Sequence, residues 1–404
     1  MTNSRGLQLW LLARLFVKLG FTAFGGPAAH IAMMREEVVV RRQWLSDERF
    51  LDLLAAANVI PGPTSTELAI HLGFERGRWL GLLVAGVSFI VPAMLLTGLM
   101  GWLYVTHGTT PELSGVLYGI KPVMVVVVLQ ALRVLAPKAM RTATQRWLGA
   151  AAFAALLFGV DELTVLFAAG ALAAAASSAR RSSNGGRPPG NATAGGMLGL
   201  LPQQASAAGA AGAAGSLAAA GSIAGGLASS SALFGAFFKI GSVLFGSGYV
   251  LLAFVRADLV ERLGWLTEAQ LLDAIAVGQV TPGPVFTTAT FVGYLLDGPS
   301  GALAATAGIF LPAFLFVGLV GPLVPRLRRY ATTAALLDGV TAASMALMLH
   351  VTLHLARSAC CDAYTIAIAA LALVASMRWR AGSTWLIAAG AAIGWGLQVT
   401  GLAP

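Results

Sequence analysis

The chain has 404 residues, of which 57% are hydrophobic and only 11% are charged, and its mean hydropathy is +0.79. Soluble domains carry about 25% charged residues, so this composition excludes an ordinary soluble enzyme and a disordered protein. The net charge of +9 does not indicate nucleic-acid binding, because the basic residues stand in short clusters between apolar runs. Lys and Arg are distributed in this way in the cytoplasmic loops of membrane proteins.

Twelve apolar segments predict an all-α, multi-pass membrane protein. The runs are continuous rather than alternating, which argues against a β-barrel. The last two segments of each half are short for a bilayer core, which about 20 apolar residues cross. The segments are approximately Leu7–Met34, Phe50–Gly73, Trp79–Tyr104, Val116–Leu135, Trp147–Val160 and Leu163–Ala176 in the first half, and Ala232–Val255, Ala269–Leu295, Gly301–Val324, Ala331–Ala356, Tyr364–Met377 and Thr384–Val399 in the second.

A change of composition separates the two halves and predicts three regions: 1–178, 179–231 and 232–404. The middle region begins with a polar, basic run and continues as an Ala/Gly/Ser-rich tract from about Ala205 to Ser231. Low complexity is typical of a flexible linker. The tract also lacks charge and is long enough to cross a bilayer, so composition alone leaves both interpretations open.

The halves are related by an internal repeat, because residues 16–63 align with residues 237–284 without a gap. Gly and Pro at the same offsets are hard to explain by shared hydrophobicity, and duplicated halves are typical of secondary transporters. The matches are Phe16, Lys18, Gly20, Phe24-Gly25, Arg35, Arg41, Trp44-Leu45, Leu51-Asp52 and Pro61-Gly62-Pro63 with Phe237, Lys239, Gly241, Phe245-Gly246, Arg256, Arg262, Trp265-Leu266, Leu272-Asp273 and Pro282-Gly283-Pro284.

Loop charges favour inverted rather than parallel copies. With the N-terminus inside and six spans, the basic loops 75–78, 138–146 and 180–181 fall on the cytoplasmic side, as the positive-inside rule requires. The basic clusters at 326–329 and 378–380 fall there only if the Ala/Gly/Ser tract crosses the membrane. This count predicts inverted repeats and about thirteen spans.

Two interrupted helices begin each half, at FGGP and PGP in the first copy and at FGSG and PGP in the second. Backbone broken at bilayer depth must line a cavity or be buried in protein. Each restarted helix offers free N–H groups and a positive dipole end to an anion, so four such ends predict a site for a small tetrahedral oxyanion. The alternative is that the breaks are packing kinks. The candidate binding residues are Gly25, Gly26, Pro27, His30, Pro61, Gly62, Pro63, Thr64, Ser65, Thr66, Gly246, Ser247, Gly248, Pro282, Gly283, Pro284, Thr287 and Thr288.

Five charged residues near the breaks are candidates for charge attraction or coupling. Lys18 and Lys239 precede the first break of each half and either draw an anion inward or snorkel to headgroups. Arg35 and Arg256 follow the break and are functional charges or interfacial anchors. Glu67 follows the first PGP by one turn, and it either carries a coupled proton or caps the new helix end.

Other chemical motifs are weak. His350 and His354 share a helix face but lack a third ligand, so we do not expect a metal site. Cys360 and Cys361 are adjacent and form no C-x-x-C pair. Walker A, H-E-x-x-H and G-x-S-x-G motifs are missing from the sequence. We therefore expect no cofactor.

The run FGGPAAHIAMMREEVVVRRQWLS with IPGPTSTELAIHLG resembles the N-terminal half of the chromate ion transporter family. The run FGSGYVLLAFVRADLVERLGWLTEAQLLDAIAVGQVTPGPVFTTATFVGYLL resembles its C-terminal half. The resemblance is to the long, two-domain form with oppositely oriented halves. It implies a protein of the bacterial inner membrane that exports chromate and confers chromate resistance, with sulfate as a similar ion. The chain departs from the pattern of this family in two ways. It has Asn58 and Glu67 where many members have Gln, and the first break of its second half reads FGSG in place of FGGP.

The leading functional hypothesis is secondary active export of chromate by alternating exposure of a midplane site. The alternatives are transport of sulfate or another oxyanion, a membrane-embedded enzyme and a passive anion channel. The expected partners are the oxyanion and membrane lipid, and no nucleic acid is expected. Proton coupling and a homodimer are both compatible with this sequence.

Overall fold

The computed structural model describes residues 2–23, 26–58, 60–107, 111–183, 228–244, 250–319, 321, 331–379 and 382–401. Within these ranges the chain is helical and contains no strand. The helices are α1 (Thr2–Thr22), α2 (Gly26–Arg35), π1 (Glu36–Arg41), α3 (Asp47–Ala57), α4 (Thr64–His107), α5 (Pro111–Ala139), α6 (Ala143–Leu157), α7 (Glu162–Ser183), α8 (Ser230–Val243), α9 (Val250–Val255), π2 (Arg256–Arg262), α10 (Glu268–Val280), a 3₁₀ turn (Val285–Thr287), α11 (Thr288–Leu319), α12 (Ala331–Ala359), α13 (Ala363–Trp379) and α14 (Ser383–Val399).

The chain is a multi-pass membrane protein by the length and apolar character of its helices. Each of the twelve predicted apolar segments overlaps at least one helix of the described residues. Large apolar side chains such as Trp147, Phe158 and Trp385 are exposed on the helix surfaces, where lipid would cover them. Five described stretches are long and apolar enough to cross a bilayer: Thr64–His107, Ser114–Pro137, Glu162–Ala179, Val285–Leu319 and Thr332–Ala359.

The interruption at the first PGP reverses the chain instead of kinking one continuous helix. Nη2 of Arg49, near the start of α3, lies 3.0 Å from Oε2 of Glu75. The two residues are 26 positions apart, which would separate them by about 39 Å along a straight helix rising 1.5 Å per residue. Helix α3 and the first arm of α4 therefore form a hairpin with the PGP at its tip.

Helix α4 itself consists of two antiparallel arms. Gly77 and Arg78 have non-helical backbone angles, with φ of −137° and 53°. A Cβ on Gly73 would lie 2.3 Å from the carbonyl oxygen of Gly81, so the arms touch on both sides of this turn. Residues 64–76 form the short first arm, and residues 79–107 form the long second arm.

The second half repeats this hairpin. Asp273, in the middle of α10, accepts a hydrogen bond from Tyr104 near the end of the long arm of α4. Tyr294, near the end of the first arm of α11, packs on Gly101 of the same α4 arm. Both helices of the second hairpin thus contact one end of α4. Helix α11 turns at Asp297 and Gly298, as α4 does at Gly77 and Arg78.

The first helices of each half also fold back. Nζ of Lys18 lies 2.8 Å from Oε1 of Glu37, and Nζ of Lys239 lies 3.0 Å from Oδ1 of Asp258. Both pairs are 19 positions apart, or about 28 Å along a straight helix. Hairpins that turn inside the apolar layer were not predicted, because Gly and Pro indicate where a helix ends but not the direction in which the chain continues.

The halves are inverted copies, as the loop charges predicted. A Cβ on Gly318, near the end of α11, would meet the ring of Trp79 at the start of the long arm of α4. A Cβ on Gly86, further along that arm, would meet the ring of Phe314. These equivalent arms therefore run antiparallel. The predicted extra span in the Ala/Gly/Ser tract and the basic clusters at 326–329 lie outside the described residues.

The later helices of the two halves interlock through glycine. Helix α5 packs on α14, where a Cβ on Gly119 would lie 2.0 Å from the carbonyl oxygen of Gly390. Helix α7 packs on α12, where a Cβ on Gly339 would lie 2.4 Å from the carbonyl oxygen of Ala169. Small residues let backbones approach closely in membranes, where apolar surface alone gives little drive for association. Helices of the first half thus pack directly against helices of the second half.

Candidate functional site

Two crossed hydrogen bonds join the halves where the chain breaks. The amide of Gly62, in the first PGP, donates to the carbonyl of Leu244 at 2.7 Å. The amide of Gly283, in the second PGP, donates to the carbonyl of Ala23 at 2.9 Å. Gly62 and Gly283 are equivalent in the repeat, as are Ala23 and Leu244. The tip of each PGP hairpin therefore meets the first break of the other half, and we call this meeting point the junction.

Packing at the junction is tight and requires glycine. Gly62 and Gly283 have φ of 139° and 90°, which favour glycine over residues with a side chain. A Cβ on Gly62 would lie 2.6 Å from Oε1 of Glu67, and a Cβ on Gly283 would lie 2.7 Å from Cβ of Ala93. The junction is thus closely packed at both glycines, and we call this arrangement the closed conformation.

His30 reinforces one of the crossed bonds. Its Nε2 lies 3.0 Å from the carbonyl oxygen of Ala23, the same oxygen that accepts from Gly283. A carbonyl only accepts, so Nε2 carries the proton. Nδ1 is buried without a partner among the described residues, and the ring stands edge-on to Phe89. His30 therefore holds the break in place in the closed conformation.

The predicted hydroxyl donors differ in their availability. Thr287 donates to the carbonyl of Pro284 and Thr288 to that of Val285, both at 2.8 Å. Oγ1 of Thr66 is buried and has no partner among the described residues. The hydroxyl of Thr66 therefore has no hydrogen bond among the described residues to give up, and its role as an anion donor remains a prediction.

Glu67 is the most unusual side chain at the junction. It is fully buried, and neither carboxyl oxygen has a hydrogen-bond partner among the described residues. The residue lies in the first turn of α4, and its backbone amide donates to the carbonyl of Pro63. A buried carboxylate without a partner is costly in its charged form.

The candidate lysines have carboxylate partners of their own. Glu37, on π1, binds Lys18 and also Arg42, whose Nε lies 3.3 Å from Oε2. Asp258, on π2, is the partner of Lys239. The hydrogen bond from Lys18 lowers the pKa of Glu37 below its usual value. A role of the two lysines in drawing an anion inward remains a prediction.

The candidate arginines are paired in the same symmetric way. Nε of Arg35 donates to Oδ1 of Asp47, and Nε of Arg256 donates to Oε1 of Glu268, both at 2.7 Å. The hydrogen bond from Arg35 lowers the pKa of Asp47. Both arginines thus tie the first hairpin of their half to the start of the second hairpin. His354 accepts from Arg256 at 3.2 Å.

A buried polar cluster between the two halves was not predicted from the sequence. Nζ of Lys121 lies 3.1 Å from Oδ1 of Asp273, whose Oδ2 accepts from Tyr104 at 2.8 Å. Asp273 is buried, whereas its repeat equivalent Asp52 is exposed. The available signal was Lys121 itself, which is the only charged residue in the apolar run 116–132.

Several candidate residues cannot be placed. Gly25, Gly246, Ser247 and Gly248 lie outside the described residues. At the first break, the structure describes the two flanking helices: α1 ends at Thr22, and α2 begins at Gly26. Among the described residues, no group of three side chains is arranged to hold a metal ion.

Comparison with known proteins identifies relatives along both halves. The family model described as Chromate transporter matches residues 10–175 and 231–395. A chromate transport protein of Cupriavidus metallidurans is 30% identical over 95% of this chain and 91% of its own length. One of Pseudomonas aeruginosa is 33% identical over 86% of this chain and 80% of its own length. A probable chromate transport protein of Synechococcus elongatus is 28% identical over 92% and 90%. No solved structure matches the chain.

We expect Asp273→Asn to destabilise the protein, because it leaves Lys121 without its carboxylate in a largely buried site. Removing one partner of such a pair costs about 3–5 kcal/mol. Thermal unfolding of the purified protein in detergent measures the loss. Asp52→Asn, at the exposed equivalent position, is the matched control and should change little. Equal effects of the two variants would contradict a structural role for the buried pair.

Proposed function

Because the chain belongs to the chromate transporter family, we propose that it exports chromate across the bacterial cytoplasmic membrane by secondary active transport and so confers chromate resistance. The observation that carries this proposal is the crossed pair of hydrogen bonds at the junction. Inverted repeats with broken helices that meet near the middle of the membrane are typical of secondary transporters. This organisation supports a transporter rather than an enzyme.

The crossed bonds suggest how an oxyanion is recognised. In the closed conformation the amides of Gly62 and Gly283 donate to carbonyls of the opposite half. When the halves move apart, both amides lose these acceptors and become donors for the oxygens of a dianion. Helix starts at Gly26 and Thr64 add the positive ends of their dipoles. Chromate oxygens thus accept the two amide hydrogen bonds that the carbonyls accept in the closed conformation.

Backbone amides recognise the shape and charge of a tetrahedral dianion rather than its central atom. Sulfate therefore competes with chromate at the junction. The proposed contacts with Gly62, Gly283 and Thr66 contain no group that distinguishes chromium from sulfur. Selectivity between the two ions then depends on the size of the ion, because there is little space around Gly62 and Gly283.

Glu67 couples transport to protons. A charged carboxylate beside a dianion would repel it, and no cation of the described residues pairs with Glu67. Glu67 therefore holds a proton while the anion occupies the junction, so that anion and proton cross together. One net negative charge then moves outward per chromate, a direction that a negative-inside membrane potential favours.

Purified protein in liposomes should accumulate chromate against its gradient when a membrane potential of the correct sign is imposed. Chromate flux is measured with and without excess sulfate and a protonophore. We expect sulfate to inhibit the flux and dissipation of the potential to reduce it. Flux that is unaffected by both treatments, or chemical conversion of chromate by the protein, would contradict the proposal.

Glu67→Gln should retain chromate flux but lose its dependence on pH, because the amide imitates the protonated carboxyl and does not titrate. Flux is measured across a pH series at a fixed membrane potential. Glu48→Gln, which removes an exposed carboxylate from α3, is the control and should keep the wild-type profile. An unchanged pH profile in Glu67→Gln would show that another group carries the proton.

A further inference from the structure

Three titratable side chains stand in a row on the first arm of α4. Glu67, His71 and Glu75 are four residues apart and therefore share one face of the helix. Their exposure increases along the row: the residues Glu67 and His71 are 0% and 6% exposed, and the side chain of Glu75 is 33% exposed. The row runs from the junction to the open end of the hairpin.

The two inner members of the row have unused hydrogen-bonding atoms. Both carboxyl oxygens of Glu67 and Nε2 of His71 are buried without partners among the described residues. Side chains four apart on a helix have Cβ atoms about 5–6 Å apart, so a proton can pass between them directly or through one water molecule. Imidazole is suited to this transfer because one nitrogen accepts while the other donates.

The outer end of the row is held by a neighbouring helix. Arg49 of α3 donates from Nε and Nη2 to the two carboxyl oxygens of Glu75, at 3.1 and 3.0 Å. Arg49 is the charged group that faces His71 and Glu75 from another helix, and its electrostatic influence reaches His71. Glu75 is thus fixed at the end of the row that contacts solvent.

The second half shows that the fold does not require this row. Gly73 and Gly293 occupy equivalent places, since each contacts the returning arm of its own helix. The 3₁₀ turn shifts the alignment of the two copies by one residue. With Gly73 aligned to Gly293, the positions equivalent to Glu67, His71 and Glu75 hold Thr287, Phe291 and Leu295. Unpartnered buried polar groups cost free energy, so apolar residues would serve packing better in the first half too.

We propose that Glu67, His71 and Glu75 form a proton path between the junction and the open end of the first hairpin. This inference rests on the proposed function and adds the route by which Glu67 exchanges its proton. The carboxyl of Glu67 passes its proton to one nitrogen of His71, and the other nitrogen releases a proton to Glu75 or water. Reversal of these steps reloads Glu67, and no bond to carbon is made or broken. The path opens on one side only.

The test uses purified full-length protein in liposomes that contain a pH-sensitive dye, with potassium and valinomycin to fix the potential. Chromate flux and proton flux are measured together. His71→Phe places the residue of the second half at this position, so it suits the packing. We expect chromate flux to persist while the accompanying proton flux falls by roughly tenfold or more. His71→Glu restores a titratable group and should recover proton flux.

His107→Gln removes an exposed histidine at the far end of α4 and should behave as wild type. A wild-type ratio of protons to chromate in His71→Phe would overturn the proton path. Loss of chromate flux in a folded His71→Phe, as judged by thermal unfolding, would overturn it as well, because His71 would then serve the anion. If wild-type protein moved no chromate at all, the proposed function would fail instead.

Discussion

The organisation of this membrane protein depends on a constraint of the apolar layer: a backbone amide or carbonyl that leaves a helix must find a partner inside the protein. The chain breaks its helices at four places and satisfies part of this requirement across the two halves. Gly62 donates to Leu244 and Gly283 donates to Ala23. Both bonds cross between the halves, so the two copies associate at their breaks. In the proposed function, a temporary loss of the same bonds gives donors to an anion.

The positions of the breaks were predicted from the sequence because Pro and Gly act locally. Repetition of PGP at one offset was enough to identify Gly62 and Gly283 as equivalent. The reversal of the chain at these points was not predicted, since it shows only in contacts between distant residues, such as Arg49 with Glu75 across the hairpin. The loop charges favoured inverted copies because they depend on the orientation of a whole half in the membrane rather than on the structure of one helix.

Charged residues were harder to interpret than the breaks. Lys18 and Lys239 were identified from the repeat, but their partners Glu37 and Asp258 differ in residue type and escaped a search for identical positions. Lys121 and Asp273 come from different halves, so no local pattern relates them. His71 lies between Glu67 and Glu75 at helical spacing. This row can be interpreted only when the burial of each side chain is known.

A disulfide between the halves tests the central claim, which is that they must move apart for transport. A Cβ on Gly98 of α4 would lie 3.9 Å from Cγ2 of Thr290 on α11, so these two positions are close enough to be tested for a cross-link through cysteines. In a background with Cys360 and Cys361 replaced by alanine, the variant Gly98→Cys/Thr290→Cys is assayed for chromate flux after oxidation and after reduction. We expect oxidation to stop the flux and reduction to restore it. Undiminished flux with a fully formed disulfide would contradict the central claim.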